Sequence, residues 1–387
     1  LYKLDVRYGS YVTWESGEAD VKIAALWPAA AFVKPAKADA VAAADGRVFL
    51  SFAAADLIAV VDGKTGRLLR TVAVKSPGAL CIRAGRLYAL SGADRVVTFG
   101  AADNPGAPEP VGPDAPTVAF TFGQKTFFRA SGDPVNQIAV YPAGTALSPA
   151  LTIGIKGGRA LLGPWQPNGV RFVQAMAVDA EDKLWVVEAD SVPKRISVWN
   201  SKTGGLVREF FGPTSYGALG GAISPLDPDV MVGQGCEWRI DPQTGLGRLT
   251  TVITRDGMEN SRFAVGANGR LYLAVASGWI PTSPKVSFFE RVGEAAYKLR
   301  SVFRYEGKDA TAQTVYWADE NGDEQEQPNE ITRVSGHKNF SGWYMTLAPD
   351  LSIYAGGERF KVSGFTACGA PRCDRGKPET MPFAGGL

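Results

Sequence analysis

Histidine is nearly missing from this sequence: the 387 residues include one, His337. That excludes histidine-rich metal sites, and any histidine-dependent catalysis would have to run through that residue. Cysteine is scarce, with four (Cys81, Cys236, Cys368 and Cys373). No run of 18 or more apolar residues occurs, so no helix of this chain is expected to cross a membrane. The most apolar early stretch, residues 23–33, is interrupted by Pro28, and Lys3, Asp5 and Arg7 break any apolar core of a leader peptide. Charge of one sign is also lacking. With 41 Lys and Arg against 39 Asp and Glu, the net charge is +2, which argues against a dedicated nucleic-acid surface. The chain opens on Leu1 and closes on Ala384-Gly385-Gly386-Leu387, and is expected to be a piece processed or cut from a longer precursor.

Glycine and proline are plentiful, at 45 and 25 residues, and helical periodicity is almost absent. Short strands joined by turns are the alternative. A first unit recurs as Asp45-Gly46-Arg47-Val48-Phe49-Leu50, Ala84-Gly85-Arg86-Leu87-Tyr88-Ala89, Glu181-Asp182-Lys183-Leu184-Trp185-Val186 and Asn268-Gly269-Arg270-Leu271-Tyr272-Leu273. It reads as a two-residue hairpin turn feeding a strand. A second unit closes a hairpin with threonine and glycine: Asp62-Gly63-Lys64-Thr65-Gly66, Asn200-Ser201-Lys202-Thr203-Gly204 and Asp241-Pro242-Gln243-Thr244-Gly245. The spacing of roughly 40 residues allows about four strands per repeat, which predicts the blades of an all-β propeller. The best count is seven blades of four-stranded antiparallel sheets, with six or eight as alternatives, starting near residues 38, 76, 116, 171, 217, 261 and 311. Residues 1–37 hold two strand-like runs of a partial blade, and 38–387 the propeller. Residues 101–116 and 157–169 read as extended loops.

The densest oxygen-bearing segment is residues 319–330. Side-chain ligands fall at its first, third, fifth and ninth places (Asp319, Asn321, Asp323, Gln327), the backbone carbonyl of Gln325 fills the seventh, and Glu330 closes it at the twelfth. That is the rhythm of an EF-hand-like calcium loop, in which a hard cation collects six to eight oxygens. The usual glycine of the sixth place is Glu324, and a glycine sits two earlier, at Gly322. The flanks 313–317 and 331–334 read as strands. A solvated acidic turn is the plainer alternative. Cys368 and Cys373 bracket four residues, a spacing suited to a small disulfide loop, with half of a zinc site as the alternative. Calcium and a disulfide together point outside the cytoplasm.

At the glycine-turn and threonine-glycine units the chain resembles NHL and related bacterial propeller repeats, across about residues 38–360. It also resembles large propeller-bearing proteins of environmental bacteria, in which a segment such as Trp317-Ala318-Asp319-Glu320-Asn321-Gly322-Asp323 forms a calcium loop between blade strands. The resemblance implies an exported protein and a structural metal, and brings no reaction with it.

Candidate chemistry is thin. Glu188 and Asp190 would share a strand face, but beside Lys194 and Arg195 they read equally as a salt-bridged turn. Glu237 and Arg239 share a face, with an inter-blade ion pair as the plainer reading. His337, near Tyr344, is either a base or a structural hydrogen-bonder. Trp165 and Trp279, in loop-like contexts, offer stacking faces for a sugar or packing for a blade. The sequence therefore predicts an extracytoplasmic, calcium-stabilised binding or scaffold module for a glycan or protein. The alternative is a calcium-assisted lyase or hydrolase acting on carbohydrate or a lactone through Glu188, Asp190, Glu237 and His337. A quinone-dependent dehydrogenase is a weaker third reading, because the tryptophan expected after each threonine-glycine turn is missing.

Overall fold

The computed structural model describes residues 2–5, 10–13, 38–102, 105–142, 148–189, 192–212, 220–255, 259–277, 284–307, 311, 313–335, 346–355, 357–373 and 379–380. They fall into two compact units. Unit 1 is Leu1–Arg159, Pro167–Ala189 and Ile196–Phe210; unit 2 is Ala160–Gln166, Asp190–Arg195 and Phe211–Leu387.

In unit 1, β1 (Tyr2–Asp5) and β2 (Ser10–Thr13) form a hairpin. Four antiparallel sheets then follow in chain order. The first is β3 (Ala40–Ala44), β4 (Arg47–Phe52), β5 (Leu57–Asp62) and β6 (Leu68–Ala73). The second is β7 (Pro77–Arg83), β8 (Arg86–Ser91), β9 (Arg95–Ala101) and β10 (Glu109–Pro110). The third is β11 (Ala119–Phe122), β12 (Thr126–Ala130), β13 (Ile138–Pro142) and β14 (Leu151–Ile153). After β15 (Gly163–Pro164), which belongs to unit 2, the fourth is β16 (Val173–Val178), β17 (Lys183–Glu188), β18 (Lys194–Asn200) and β19 (Leu206–Gly212).

The turns explain the order. Asp45 and Gly46 both adopt positive φ (50° and 71°), as do Ala84 and Gly85 (47° and 69°), the backbone a two-residue hairpin requires. In the threonine-glycine turns, Asp62 Oδ1 accepts the amides of Lys64 (3.0 Å) and Thr65 (2.8 Å), and Asn200 repeats this with Lys202 and Thr203. Gly66, Gly204 and Gly245 then reverse the chain at φ near 70°.

Successive sheets of unit 1 pack through apolar faces: Phe49, Val60, Leu87 and Phe99 between the first two, Phe120, Phe127 and Leu90 between the next, and Phe128, Leu184 and Trp199 between the last. The first strands β3, β7, β11 and β16 lie beside one another in turn. Sequential four-stranded meanders stacked this way are the blades of a β-propeller.

Unit 2 continues the pattern. Its first sheet is β20 (Gly221–Ile223), β21 (Val230–Gly233), β22 (Cys236–Ile240) and β23 (Gly247–Val252), with β15 added at the outer edge. The next has six strands: β24 (Glu259–Val265), β25 (Leu271–Ser277), β26 (Lys285–Gly293), β27 (Ala296–Glu306), β28 (Gln313–Ala318) and β29 (Ile331–Ser335). Then come β30 (Thr346–Leu347), β31 (Ile353–Ala355) and β32 (Glu358–Phe360), the pair β33 (Val362–Phe365) and β34 (Pro371–Cys373), and β35 (Glu379–Thr380), which pairs with β32. Every residue of β25 is buried. Phe288, Phe303 and Tyr316 pack on Leu351, Ile353 and Phe360 beneath this sheet.

The chain is thus all-β, and the described residues contain seven sheets of four or more strands. Three local expectations are corrected. Residues near 311 open no new blade, because β28 and β29 extend the sixth sheet through the pairing of β28 with β27. The proline-rich residues 101–116 are not merely a loop but supply β10. That strand is an outer edge, where proline's missing N–H is tolerated. Residues 157–169 likewise supply β15.

Candidate functional site

Residues 319–330 connect β28 to β29 as a hairpin loop, with Trp317 paired to Ile331 and Gln313 to Ser335. The loop is knitted by its own side chains. Asp319 Oδ1 accepts the Gly322 amide (2.6 Å), Asn321 Oδ1 the Asp323 amide (2.9 Å), and Asp323 Oδ1 the Gln325 amide (2.9 Å). Asn321 Nδ2 donates to Asp323 Oδ2 and Gln327 Oε1 (both 3.1 Å), and Gln327 Nε2 to Asp323 Oδ2 (2.6 Å). The places third, fifth and ninth therefore meet at one point. Glu330 turns back to accept the Glu320 amide (2.9 Å) and the Trp317 indole N–H (2.8 Å). Glu324, at the sixth place, takes the left-handed backbone (φ 63°) and Gly322 takes φ 86°, so the turn that usually needs glycine is made by a glutamate at a conformational cost. The Gln325 amide leads in holding the Asp323 carboxyl below its usual range, with Gln327 and Asn321 adding to it.

The donor chemistry, three carboxylates and two amides, fits a hard cation. No group of three or more histidine, cysteine, aspartate or glutamate side chains among the described residues is placed to hold a metal on its own, so the amide oxygens of Asn321 and Gln327 would have to serve.

β27 holds this loop. The register of β26 with β27 passes from Phe288–Ser301 to Phe289–Leu299, which leaves Arg300 as the extra residue of a β-bulge. A bulge re-aims a side chain. Arg300 Nε donates to Glu290 Oε2 (2.7 Å) and its Nη1 to Asp319 Oδ2 (3.1 Å), all three being buried. To either side, Glu324 accepts the Leu299 amide (3.1 Å), and Glu326 takes both η nitrogens of Arg304 (2.6 and 2.9 Å).

Beside the loop, unit 2 contains a cavity of about 1070 Å³. One wall is the face of the β26–β27 hairpin that carries Lys285, Ser287, Phe289, Val302 and Arg304. The lining also includes Leu161, Leu162 and Pro164, Val252 and Ile253, and Glu324 and Glu326 of the loop. Because the bulge at Arg300 shifts side-chain parity, Tyr297 and Leu299 before it and Val302 and Arg304 after it all reach the same cavity.

Under this wall lies Glu237, which is 1% exposed. The strand paired with its own also bulges, at Thr250 of β23. Thr250 Oγ1 donates to Glu237 Oε1 (2.8 Å), while Oε2 accepts from Arg291 Nε (2.9 Å) and the Tyr297 hydroxyl (2.5 Å). Burial pushes the Glu237 carboxyl up, but these donors outweigh it and leave it below its usual range. Burial, then the carboxylate, pushes the Tyr297 hydroxyl well up. This is the inter-blade ion pair, from β22 to the β26–β27 hairpin.

Glu188, in unit 1, is fully buried, ion-paired with Arg159, and accepts the Arg171 amide (3.0 Å). Strand β17 ends at Glu188; Asp190 lies outside the described residues, as do His337 and Trp279. Trp165 is packed: Phe211 meets its ring edge-on at 5.5 Å, and the Arg195 guanidinium lies 5.4 Å from its centroid. Cys368 and Cys373 are not joined. The Cys368 thiol instead donates to the Asp319 carbonyl oxygen (2.9 Å), and Cys373 is buried in the core beside Tyr316.

Arg159, Arg291, Arg300 and the cavity escaped sequence reasoning. The only trace was a set of charged residues inside otherwise apolar strands, such as Arg300 in Leu299-Arg300-Ser301-Val302-Phe303.

No family model matches the chain, and no curated protein matches it. Among solved structures it is similar to hydrazine synthase of Kuenenia stuttgartiensis, at 14% identity over 82% of this chain and 92% of that one, with a TM-score of 0.35. It is similar to the WD40 β-propeller domain of Doa1, at 14% identity over 60% and 74%, with a TM-score of 0.33. For Kluyveromyces lactis Hsv2 the values are 12%, 68%, 85% and 0.32. Likenesses this low carry nothing about activity.

Proposed function

We propose that the chain is a calcium-braced β-propeller binding module that works outside the cytoplasm and docks a protein ligand. The observation that carries the binding role is how the polar groups are used. Both described candidates for catalysis, Glu188 and Glu237, are spent on ion pairs within their own units, while unit 2 opens a large cavity beside a preformed loop. A protein ligand is favoured over a glycan because Trp165, the stacking candidate among the described residues, has its ring engaged by Phe211 and Arg195. Asp319, Asn321, Asp323, the Gln325 carbonyl, Gln327 and Glu330 would hold the cation, which would supply the positive charge that the Asn321 and Gln327 amides now direct at Asp323. A calcium site of this kind suits the millimolar calcium outside cells.

Thermal unfolding in calcium and in chelator tests the cation. A ligand that binds only the folded state adds about 2.7 kcal/mol at a hundredfold excess over its Kd. The parent chain is therefore expected to melt higher in calcium, and Asp323→Ala to lose that gain. Identical melting of the parent chain in both conditions overturns the calcium reading. Panels of immobilised peptides and glycans test the binding role, which fails if both stay blank.

A further inference from the structure

We infer that Arg300 sets the affinity of the cation loop: it holds the first-place carboxylate of Asp319 and competes with the cation for its charge. The inference rests on the calcium reading and names the residue that regulates that site.

Position comes first. The bulge in β27 aims Arg300 at two carboxylates, Glu290 through Nε (2.7 Å) and Asp319 through Nη1 (3.1 Å). The side chains of Arg300, Glu290 and Asp319 are 7%, 9% and 0% exposed, so salt and water screen them little. Asp319 is fixed on every side. Its Oδ1 accepts the Gly322 amide (2.6 Å) and its Oδ2 the guanidinium. Its amide donates to the Arg300 carbonyl oxygen (2.9 Å), and its own carbonyl oxygen accepts the Cys368 thiol (2.9 Å). A cation at Oδ1 would therefore share one carboxylate with Arg300.

Charge comes second. Glu290 is divided between two arginines, Arg300 through Oε2 and Arg270 through Oε1 (3.0 Å). Two guanidiniums thus face two carboxylates, and the charge of Asp319 is answered before a cation arrives. Of the ligand carboxylates, only Asp323 and Glu330 then keep their full pull. Ligand charge is one of the levers that spread such loops from nanomolar to millimolar affinity. An arginine beside an aspartate lowers the affinity of that carboxylate for a proton by about 10- to 1000-fold. A divalent cation at the other oxygen stands farther from the guanidinium but carries twice the charge, so an effect of at least tenfold is expected. Stability works in the opposite sense. Before a cation binds, Arg300 is what keeps both buried carboxylates paired across the bulge. It gives up calcium affinity for a loop that is already formed.

The test is calorimetric titration of the full chain with calcium, together with thermal unfolding in chelator. The parent Kd is expected at about 10⁻⁴–10⁻³ M, the range of extracellular modules. Arg300→Met should bind calcium at least tenfold more tightly while its calcium-free melting temperature falls; a residue that merely propped the loop would lower both. Arg300→Lys, which restores the charge, should bring the Kd back towards that of the parent. If Arg300→Met does not fold in chelator, adding Glu290→Gln removes the second unpaired carboxylate, and that double variant should still bind more tightly than the parent. Calcium bound no more tightly by these neutral variants than by the parent overturns the role of Arg300 and leaves the calcium reading standing. A parent and variants that all ignore calcium overturn both.

Discussion

Replacing Arg291 with methionine isolates the electrostatics beneath the cavity. Methionine keeps most of the aliphatic stem and removes the cation that, among the described residues, is bonded to Glu237. The Glu237 side chain is 2% exposed and that of Arg291 15%, so solvent screens the pair little. Removing one partner of a buried pair costs about 3–5 kcal/mol, because the other charge stays buried. Tyr297 and Thr250 still donate to Glu237, which places the expected loss at the lower end, about 3 kcal/mol. At roughly 2–4 °C per kcal/mol for a unit of this size, the transition reporting on unit 2 should fall by about 6–12 °C near pH 7. The pH dependence carries the signature. In the parent, the Glu237 carboxyl lies below its ordinary 4.5, so its contribution is present above that value and is lost as pH falls through the lower folded value. Without Arg291, burial dominates and lifts the carboxyl, so the variant loses stability as pH rises. The gap between parent and variant should therefore narrow on going from pH 7 towards pH 4. Adding Glu237→Gln to Arg291→Met should recover most of the loss, since a neutral amide needs no counter-charge. A loss under about 1 kcal/mol, or one that is the same at both pH values, refutes the account of Glu237 as a buried carboxylate held by its guanidinium.

The other predictions are smaller. Arg159→Met should destabilise unit 1 by about 3 kcal/mol for the same reason, read by urea unfolding, because Glu188 is fully buried. Gly204→Ala should cost about 1–2 kcal/mol, since its φ is 71° and an added Cβ would stand 3.2 Å from Leu151; an unchanged melting temperature would contradict the turn. Alkylation of the denatured, unreduced chain should label all four cysteines by mass spectrometry, and two unlabelled thiols would restore the bond between Cys368 and Cys373.

What the sequence made legible was whatever its turns encode locally. Asp45-Gly46 and Ala84-Gly85 fix positive φ at both central positions, and Asp62 and Asn200 fold the next two amides onto themselves, so the meanders and most blade starts could be read from short motifs. The loop flanks were legible for the same reason, since β28 and β29 pair through strongly patterned strands. The site was not. Glu188 finds Arg159, 29 residues upstream in sequence, and Glu237 finds Arg291, 54 residues downstream. Both partners are chosen by stacking of sheets, which no local pattern reports. The bulges at Thr250 and Arg300 were invisible because a bulge is one extra residue in a register. No residue type marks it, yet it decides which way an arginine points.

The bulge at Arg300 also ties the loop to the cavity. Three nearby residues of β27 each take a different part of the loop: Arg300 the first place through Asp319, Leu299 the sixth through Glu324, and Arg304 the eighth through Glu326. The same strand presents Leu299, Val302 and Arg304 to the cavity. A cation held by Asp323, Asn321 and Gln327 would restrain the loop backbone between those three attachment points, and so would restrain the wall. On the proposed reading, calcium then does more than stabilise. A ligand lodged in the cavity should bind more tightly when calcium is present, and by linkage should raise the affinity for calcium by the same factor. Glu326→Ala, which cuts the eighth-place attachment and frees the Arg304 η nitrogens, should reduce that coupling while leaving Asp319, Asn321, Asp323, Gln327 and Glu330 intact. Coupling that survives Glu326→Ala at full strength would mean that the wall does not take its position from the loop.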